Sequence, residues 1–347
     1  MKGRVAAQCT TRNTEEFAMA SFDFTRRKAL LVGAALLATP AILRADSPRL
    51  PRLVLQTPGS GPAILMAHAR ALGLFDTIAD EVDLSIWTTG DEMRAGLVSG
   101  NVPVSVVPTQ AAASLYNRGF AIKLVATLTD GHCGLVARGM EDCTIPDLRG
   151  KSVVVPAFND FTGHMMRLAL AHHGVGLDAL TLIPATTQME AAQVLLSGRA
   201  DVAFLAEPGA TAALMRGRAD GQDLHRGVQM RDELGRVTGL RPSLPQAALA
   251  MRADFASQHP WLAAPLTKAL AEAAEDLNTN PAQAAEHAAP FVERAAPMLA
   301  QAIPFANINV LAAHVARPEV EALYQALIAA DAGIIGGALP DDGLYAV

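Results

Sequence analysis

The chain has 347 residues and a formal net charge of −6 at pH 7, with 51% hydrophobic and 18% charged residues. An acidic balance disfavours nucleic acid and anionic lipid surfaces as partners. No apolar run reaches the roughly 20 residues that a transmembrane helix needs, so we expect no direct membrane insertion of the processed protein.

The first predicted element is a removable N-terminal leader. Residues 25–28 are Thr-Arg-Arg-Lys, residues 29–43 are uncharged, and Ala45 follows shortly after. A basic segment, an apolar segment and a small residue, in that order, are typical of a secretory signal peptide. The adjacent arginines indicate the twin-arginine route. We therefore expect a periplasmic protein and exclude residues 1–45 from the fold, with Met19 as an alternative start that would make the residues before it an upstream extension.

Without this leader the chain keeps 21 basic and 31 acidic residues, which gives a net charge of −10. About 300 residues are enough for two domains of ordinary size.

Two stretches 98 positions apart then share one template, in which a threonine, a glutamate and a glycine recur at the same internal spacing. The two copies are Thr89, Glu92, Leu97, Ser99, Gly100 and Val104, and Thr187, Glu190, Leu195, Ser197, Gly198 and Val202. Threonine followed by glutamate three residues later is a capping box at a helix start, and the glycine is a favoured helix stop. An apolar run follows each stop and predicts a strand. The sequence thus favours two similar α/β lobes with a cleft between them, although unrelated α/β domains also reuse such caps and stops.

The remaining elements alternate between strand and helix. Strands are predicted near residues 53–56, 82–87, 102–107, 121–125, 134–137 and 153–155, and the last of these leads to a helix over Gly163–His173. Short apolar runs of this kind are typical of a mostly parallel sheet that is covered on both faces. A charged stretch over 216–241 and an apolar run over 247–251 follow.

The chain ends in an Ala-rich tail whose apolar residues recur near a 3.6-residue period, which predicts helices. Such a tail cannot complete a third lobe, so we expect it to return to the first. The predicted lobes are residues 46–137 joined with 247–347, and residues 138–246.

Candidate ligand-binding residues lie where a predicted strand ends and a helix begins. Ligands of open α/β sheets sit beyond the carboxyl ends of the strands, where helix N-termini present unpaired N–H groups. The candidates at such positions are Ser60, Gly61, Thr109, Gln110, Asn159, Thr162, Gly163 and Glu207. For Thr89 and Thr187, simple helix capping explains the residue at least as well as ligand contact.

Phe158 and Phe161 could stack on a flat ligand, although packing in the core is the commoner fate of phenylalanine. No Arg or Lys occupies the segments around Ser60, Thr109 and residues 159–163. This favours a neutral or singly charged organic ligand over a dianion, because a buried charge without a partner is costly.

The cysteines and histidines allow fewer conclusions. An exported location permits a disulfide between Cys133 and Cys143, but the chain must reverse to bring their Cα atoms within about 7 Å, so both the bridged and the free state stay open. His164 and His172 are eight residues apart on one predicted helix, too far for one ion, and we predict no metal. Zinc-ligand, nucleophile-elbow and phosphate-loop motifs do not occur in the sequence, and we predict neither a cofactor nor a catalytic residue.

Taken together, several motifs resemble the solute-binding proteins of ABC importers, most closely the nitrate, sulfonate, taurine and thiamine-precursor branch. Each motif is weak alone, and their order along the chain is the stronger signal. They are the exported leader, Gly59-Ser60-Gly61-Pro62, the Leu-x-Ser-Gly-x-x-x-Val unit, Pro108-Thr109-Gln110, Asp147-Leu148-Arg149-Gly150-Lys151 and Glu207-Pro208. The resemblance implies a two-lobed periplasmic-binding-protein fold of type II that closes on a small organic or anionic ligand. It also implies a monomer that performs no chemistry and delivers the ligand to an ABC permease in the inner membrane.

Two other classes of function stay open. Enzymes of a menaquinone route and a thiamine-pyrimidine synthase share this fold, so the fold alone does not exclude catalysis. The export leader and the missing cysteine-rich motif of the synthase argue against that interpretation. The other alternative is an exported sensor or chaperone-like module that carries a tightly held cofactor to a different partner.

Overall fold

A computed structural model describes residues 48–345, and the predicted leader over residues 1–45 lies outside the described residues. The strands are β1 (Leu50–Pro58), β2 (Ala79–Trp87), β3 (Val104–Pro108), β4 (Ile122–Thr129), β5 (Cys133–Arg138), β6 (Ser152–Pro156), β7 (Thr181–Ala185), β8 (Val202–Ala206), β9 (Leu224–Gln229), β10 (Ala247–Arg252) and β11 (Ile308–Ala312). The helices are α1 (Gly61–Ala71), α2 (Gly90–Ser99), α3 (Thr109–Asn117), α4 (Phe161–His172), α5 (Gln188–Leu196), α6 (Gly209–Ala219), α7 (Met230–Thr238), α8 (Ala253–Gln258), α9 (Ala263–Thr279), α10 (Pro281–Val292), α11 (Ala296–Ala302) and α12 (Ala313–Asp331). Within the described part of the chain, no helix combines the length and the apolar character needed to cross a membrane.

The strands form two separate sheets with related topology. The first sheet has the order β11-β4-β10-β3-β1-β2, and the second has the order β7-β6-β8-β5-β9. In the first, β1 lies between β2 and β3 and runs parallel to both. In the second, β6 lies between β7 and β8 in the same way. Each sheet therefore contains one copy of the same β-α-β-α-β unit, in agreement with the repeat found in the sequence.

The helix caps of the repeat also match. Thr89 Oγ1 accepts the N–H of Glu92, and Thr187 Oγ1 accepts the N–H of Glu190, both at 3.1 Å. Each glutamate carboxylate reaches back to the N–H of the residue before the cap, at 2.8 Å in the first copy and 2.7 Å in the second. A glycine with positive φ follows each helix. The same local chemistry thus starts and stops both helices.

Several elements differ from the predictions. The charged stretch over 216–241 contains strand β9 and helix α7, and the helical tail contains strand β11. Strands β10 and β11 join the first sheet. Strand β5 pairs with β8 and β9 in the second sheet. The predicted lobe boundary after residue 137 would assign most of β5 to the first lobe and so separate it from its own sheet. The division into lobes otherwise remains a prediction.

The apolar core lies on both sides of the first sheet. On one side, Leu53 and Leu55 of β1 are buried in a cluster that includes Leu266 and Leu270 of the Ala-rich helix α9. On the other side, a cluster around the fully buried Tyr324 of α12 continues to residues of the second sheet. Helix α12 contacts β4 and also α4 and α7. The C-terminal tail therefore packs against both halves of the protein, rather than against the first alone.

The chain passes between the sheets twice, at residues 130–132 and at residues 239–246. Side chains tie these two crossings together. The Asp130 carboxylate accepts hydrogen bonds from Arg241 Nη1 at 2.9 Å and from Ser243 Oγ at 3.2 Å. The Arg241 guanidinium also pairs with Glu319 of α12, at 2.5 and 2.7 Å. One arginine thus joins both crossings to the C-terminal helix.

Cys133 and Cys143 are both free and buried, so they form no disulfide with each other. Cys133 begins strand β5, which carries the chain about 17 Å along its length before the segment that holds Cys143. The Cys133 thiol donates to Gln246 Oε1 at 3.3 Å. Burial raises the pKa of Cys133 to about 12 and that of Cys143 to about 11, so both thiols stay protonated.

Candidate ligand-binding cleft

A cleft of about 450 Å³ opens between the two sheets. From the first sheet it is lined by the carboxyl ends of β1, β2 and β3, at Pro58, Trp87 and Pro108. From the second it is lined by the end of β6 and by the N-termini of helices α4 and α5. Both copies of the repeat thus present the same kind of edge to one space, as expected for a ligand site in open α/β sheets.

Three of the predicted ligand-binding residues line this cleft, namely Ser60, Phe161 and Thr162. The Ser60 hydroxyl does not cap helix α1, although the residue stands at the cap position. The Thr162 hydroxyl is half-buried and donates to the backbone carbonyl of Pro156. Its oxygen can still accept a hydrogen bond from a ligand. These residues come from both lobes, so a bound molecule would touch each.

Thr109 and Gln110 lie outside the cleft lining, although they follow β3 as predicted. Thr109 is fully buried, and its Oγ1 donates to the backbone carbonyl of Pro245 at 2.7 Å. The backbone carbonyl of Thr109 accepts the Tyr324 hydroxyl, also at 2.7 Å. Gln110 is 4% exposed. The start of α3 therefore packs against the second chain crossing and α12, which the sequence pattern did not indicate.

Gly61, Phe158, Asn159 and Gly163 also lie outside the lining. A Cβ on Gly163 would stand 1.7 Å from the carbonyl oxygen of Phe158, so this position is held by close backbone packing. The Phe158 ring faces the Arg167 guanidinium, 4.3 Å from the ring centroid, a cation–π contact rather than a ligand platform. A Cβ on Gly61 would contact Ala306 and Ile308 at 3.4 Å.

Glu207 lines a neighbouring pocket of about 390 Å³ that shares Ser60 with the cleft. Its carboxylate is buried and already has partners within the second lobe. Oε2 accepts the hydroxyl of Thr211 at 2.8 Å, and Oε1 pairs with Arg226. The Arg226 guanidinium also stacks on the Phe305 ring, 3.7 Å from its centroid. Because the charge of Glu207 is already matched, this residue holds β8, α6 and β9 together.

Sequence reasoning missed several residues of the cleft, among them Trp87, His132 and Gln246. Trp87 ends β2, and its Nε1 donates to the carbonyl of Val106 at 2.9 Å, which fixes the indole. Gln246 precedes β10, and its Oε1 accepts the Cys133 thiol. Position in the sequence could have indicated two of these residues, because His132 lies between two predicted strands and Gln246 directly precedes an apolar run.

His132 is 4% exposed, and its Nδ1 has no hydrogen-bond partner among the described residues. Burial lowers the pKa of its imidazole to about 4, because a charged ring loses its hydration there. The ring is therefore neutral at ordinary pH and carries one donor and one acceptor nitrogen.

The charged residues in the lining, Asp160 and Arg294, are both exposed. Asp160 Oδ1 accepts the N–H of Phe161 at 2.8 Å as the cap of α4, and Arg294 lies at the rim. In the part of the chain that the structure describes, no three His, Cys, Asp or Glu side chains are grouped to hold a metal ion. The interior of the cleft is thus uncharged, with aromatic, hydroxyl, amide and imidazole groups.

Comparison with solved structures places this architecture among two-lobed periplasmic binding proteins. An ABC transporter protein from Parabacteroides distasonis is 21% identical with a TM-score of 0.70, over 85% of this chain and 98% of that one. The periplasmic aliphatic sulphonate-binding protein SsuA from Escherichia coli is 15% identical with a TM-score of 0.65, over 82% and 87%. The periplasmic nitrate-binding protein NrtA from Synechocystis PCC 6803 is 15% identical with a TM-score of 0.57, over 73% and 69%. The predicted fold class is confirmed.

The NMT1/THI5-like family model matches residues 66–284, and the chain belongs to this family. The predicted family resemblance is thereby confirmed. A search of curated proteins returned no match.

Proposed function

We propose that this protein is an exported solute-binding protein that captures a small molecule in the cleft between its two sheets and delivers it to an ABC permease. The observation that carries the proposal is the cleft itself, because both lobes line it with polar groups at strand ends. The similarity in fold to solved transport and binding proteins supports binding over catalysis. The lobes are proposed to close about the two tied crossings, which is the hinge motion expected of such an architecture.

Intrinsic fluorescence offers a direct test, because the chain has two tryptophans and only Trp87 lines the cleft. In a Trp261→Phe variant, Trp87 is the sole tryptophan. Ligand binding should change its emission, and the radius of gyration from solution scattering should fall as the lobes close. Candidate solutes are nitrate, taurine, alkanesulfonates and uncharged heterocycles. If every solute leaves both signals unchanged, the proposal is wrong.

Export is tested separately, because the leader is a prediction from the sequence. Replacing Arg26 and Arg27 with lysine should leave uncleaved precursor in the cytoplasm, since the twin-arginine route reads the arginine pair itself. Export of this double variant at the normal level would contradict the twin-arginine route and leave a general secretory signal.

Delivery to a permease is the remaining part of the proposal. The ATPase activity of the reconstituted importer should rise when the ligand-loaded protein is added and should rise less with ligand-free protein. Equal activity in both cases would favour a different partner.

A further inference from the structure

The two chain crossings each bring one neutral hydrogen-bonding side chain to the cleft. His132 ends the first crossing, and Gln246 ends the second. The backbone carbonyl of His132 accepts the N–H of Glu207 at 2.8 Å, which fixes this crossing against the end of β8. The imidazole thus has a defined position beside the cleft.

The buried Nδ1 of His132 lacks a hydrogen-bond partner among the described residues. Six buried side-chain nitrogen or oxygen atoms lack partners among the described residues, and this one belongs to a residue that lines the cleft. An unsatisfied buried polar group costs stability. Because Nδ1 is itself buried, a ligand can reach this imidazole only through the part of the ring that lines the cleft.

Charge narrows the chemistry of that ligand. The cleft interior holds no buried cation, since Arg294 lies exposed at the rim. With its pKa lowered to about 4, His132 does not supply a positive charge either. A sulfonate or nitrate would therefore lose its hydration without gaining an ion-pair partner inside. A neutral imidazole and an amide instead match a molecule that both donates and accepts hydrogen bonds.

The aromatic residues of the cleft indicate the shape of the ligand. Trp87 lines the cleft from the first lobe, and Phe161 from the second. The hydrogen bond from Trp87 Nε1 to the β3 backbone holds the indole in place. Phe161 is 6% exposed and packs in the core, whereas Trp87 is half-buried, so the Trp87 indole is the aromatic surface that favours a flat molecule.

Building on the proposed function, we propose that the cleft takes a flat, uncharged ligand and that His132 determines this specificity by hydrogen bonding to it. Gln246 is the second polar contact. A ligand held by both residues would join the two crossings about which the lobes close.

Calorimetry on the full mature protein tests the ligand class with two sets of probes. Uracil, cytosine and nicotinamide are flat and uncharged, whereas nitrate and hexanesulfonate are anions. We expect binding from the uncharged set and none from the anions. Binding of the anions alone would overturn this inference but support the proposed function. If neither set binds, the proposed function fails with it.

The role of His132 is tested with whichever uncharged probe binds best. His132→Ala should weaken affinity about 10- to 100-fold, because it leaves a polar ligand group unpaired. His132→Gln keeps a donor and an acceptor and should recover part of that loss. His172→Ala is the matched control, since His172 is an exposed histidine on α4 outside the cleft lining. Equal affinity in the native protein and both His132 variants would overturn the assignment.

Thermal unfolding checks that the variants fold. If His132→Ala is unstable, the NMR resonance of His132 in the native protein provides an independent readout. With histidine labelled at Cε1, the His132 resonance is identified by its absence from His132→Gln. It should shift when the uncharged probe binds to the native protein. An unshifted resonance in the presence of bound probe would show that the ring does not touch the ligand.

Discussion

Replacing Arg226 with Met removes one charge from a buried ion pair while keeping an apolar side chain of similar length. Its partner, Glu207, has a side chain that is 3% exposed, against 22% for Arg226. In Arg226→Met, the Glu207 carboxylate stays buried with only the hydroxyl and N–H of Thr211 as partners. Leaving a buried charge without its counter-ion costs about 3–5 kcal/mol. Loss of the cation–π contact with Phe305 adds about 1 kcal/mol.

The free energy of unfolding is measured by urea titration of the mature protein at neutral pH. Arg216→Met is the matched control, because Arg216 pairs with Asp220 on the surface of α6 with 69% of its side chain exposed. That pair should contribute less than about 1 kcal/mol. Adding Glu207→Gln to Arg226→Met should recover much of the loss, since the amide carries no charge. A cost below about 1 kcal/mol for Arg226→Met would refute the reasoning.

Three further predictions concern stability. Gly163→Ala should lower the free energy of unfolding by about 2 kcal/mol or more, because its Cβ meets a carbonyl oxygen. Gly209→Ala is the control, since its Cβ faces open space and should change this free energy by less than about 1 kcal/mol. Equal costs of the two variants in thermal unfolding would contradict this prediction. Thr89→Ala and Thr187→Ala should each cost about 1 kcal/mol, as both remove an equivalent cap; a loss in one copy only would show that the caps are not equivalent. Because the pKa of His132 is lowered in the folded protein, the unfolded chain takes up a proton on this imidazole at a higher pH than the folded one does. The free energy of unfolding should therefore fall by about 3 kcal/mol as the pH drops from 6.5 to about 4. The same pH dependence in His132→Gln would contradict this prediction.

Local signals in the sequence located most of the repeated units. Capping threonines and stop glycines act within a few residues of their own positions, so their pattern is visible without the fold. Strand β9 was missed for the opposite reason. Arg226 lies in this strand, and its charge is accommodated by Glu207 and Phe305, which are distant in sequence. Long-range pairing of this kind leaves no local periodicity to detect.

The ligand-binding cleft was predicted only in part, again because some of its residues are positioned by contacts that are distant in sequence. Ser60, Phe161 and Thr162 follow the rule that ligands bind at strand ends, and that rule uses only the order of elements. Thr109 obeys the same rule but turns inward, because Tyr324 and Pro245 arrive from the C-terminal half to occupy its polar groups. His132 and Gln246 reach the cleft only because the chain crosses there twice. Which crossing residues face a cleft depends on tertiary packing.

The interruption of the first sheet by the second has a consequence for the order of folding during synthesis. The second sheet uses one continuous segment, from Cys133 to Gln229, whereas the first sheet is complete only when Ala312 has been added. A growing chain can therefore finish the later sheet while the earlier one still lacks β10 and β11. Until then β4 has neither of its neighbours, and an unpaired edge of this kind invites aggregation. Chains truncated before Ala247 lack both β10 and β11 and should accordingly fail through insolubility, with the second sheet already formed.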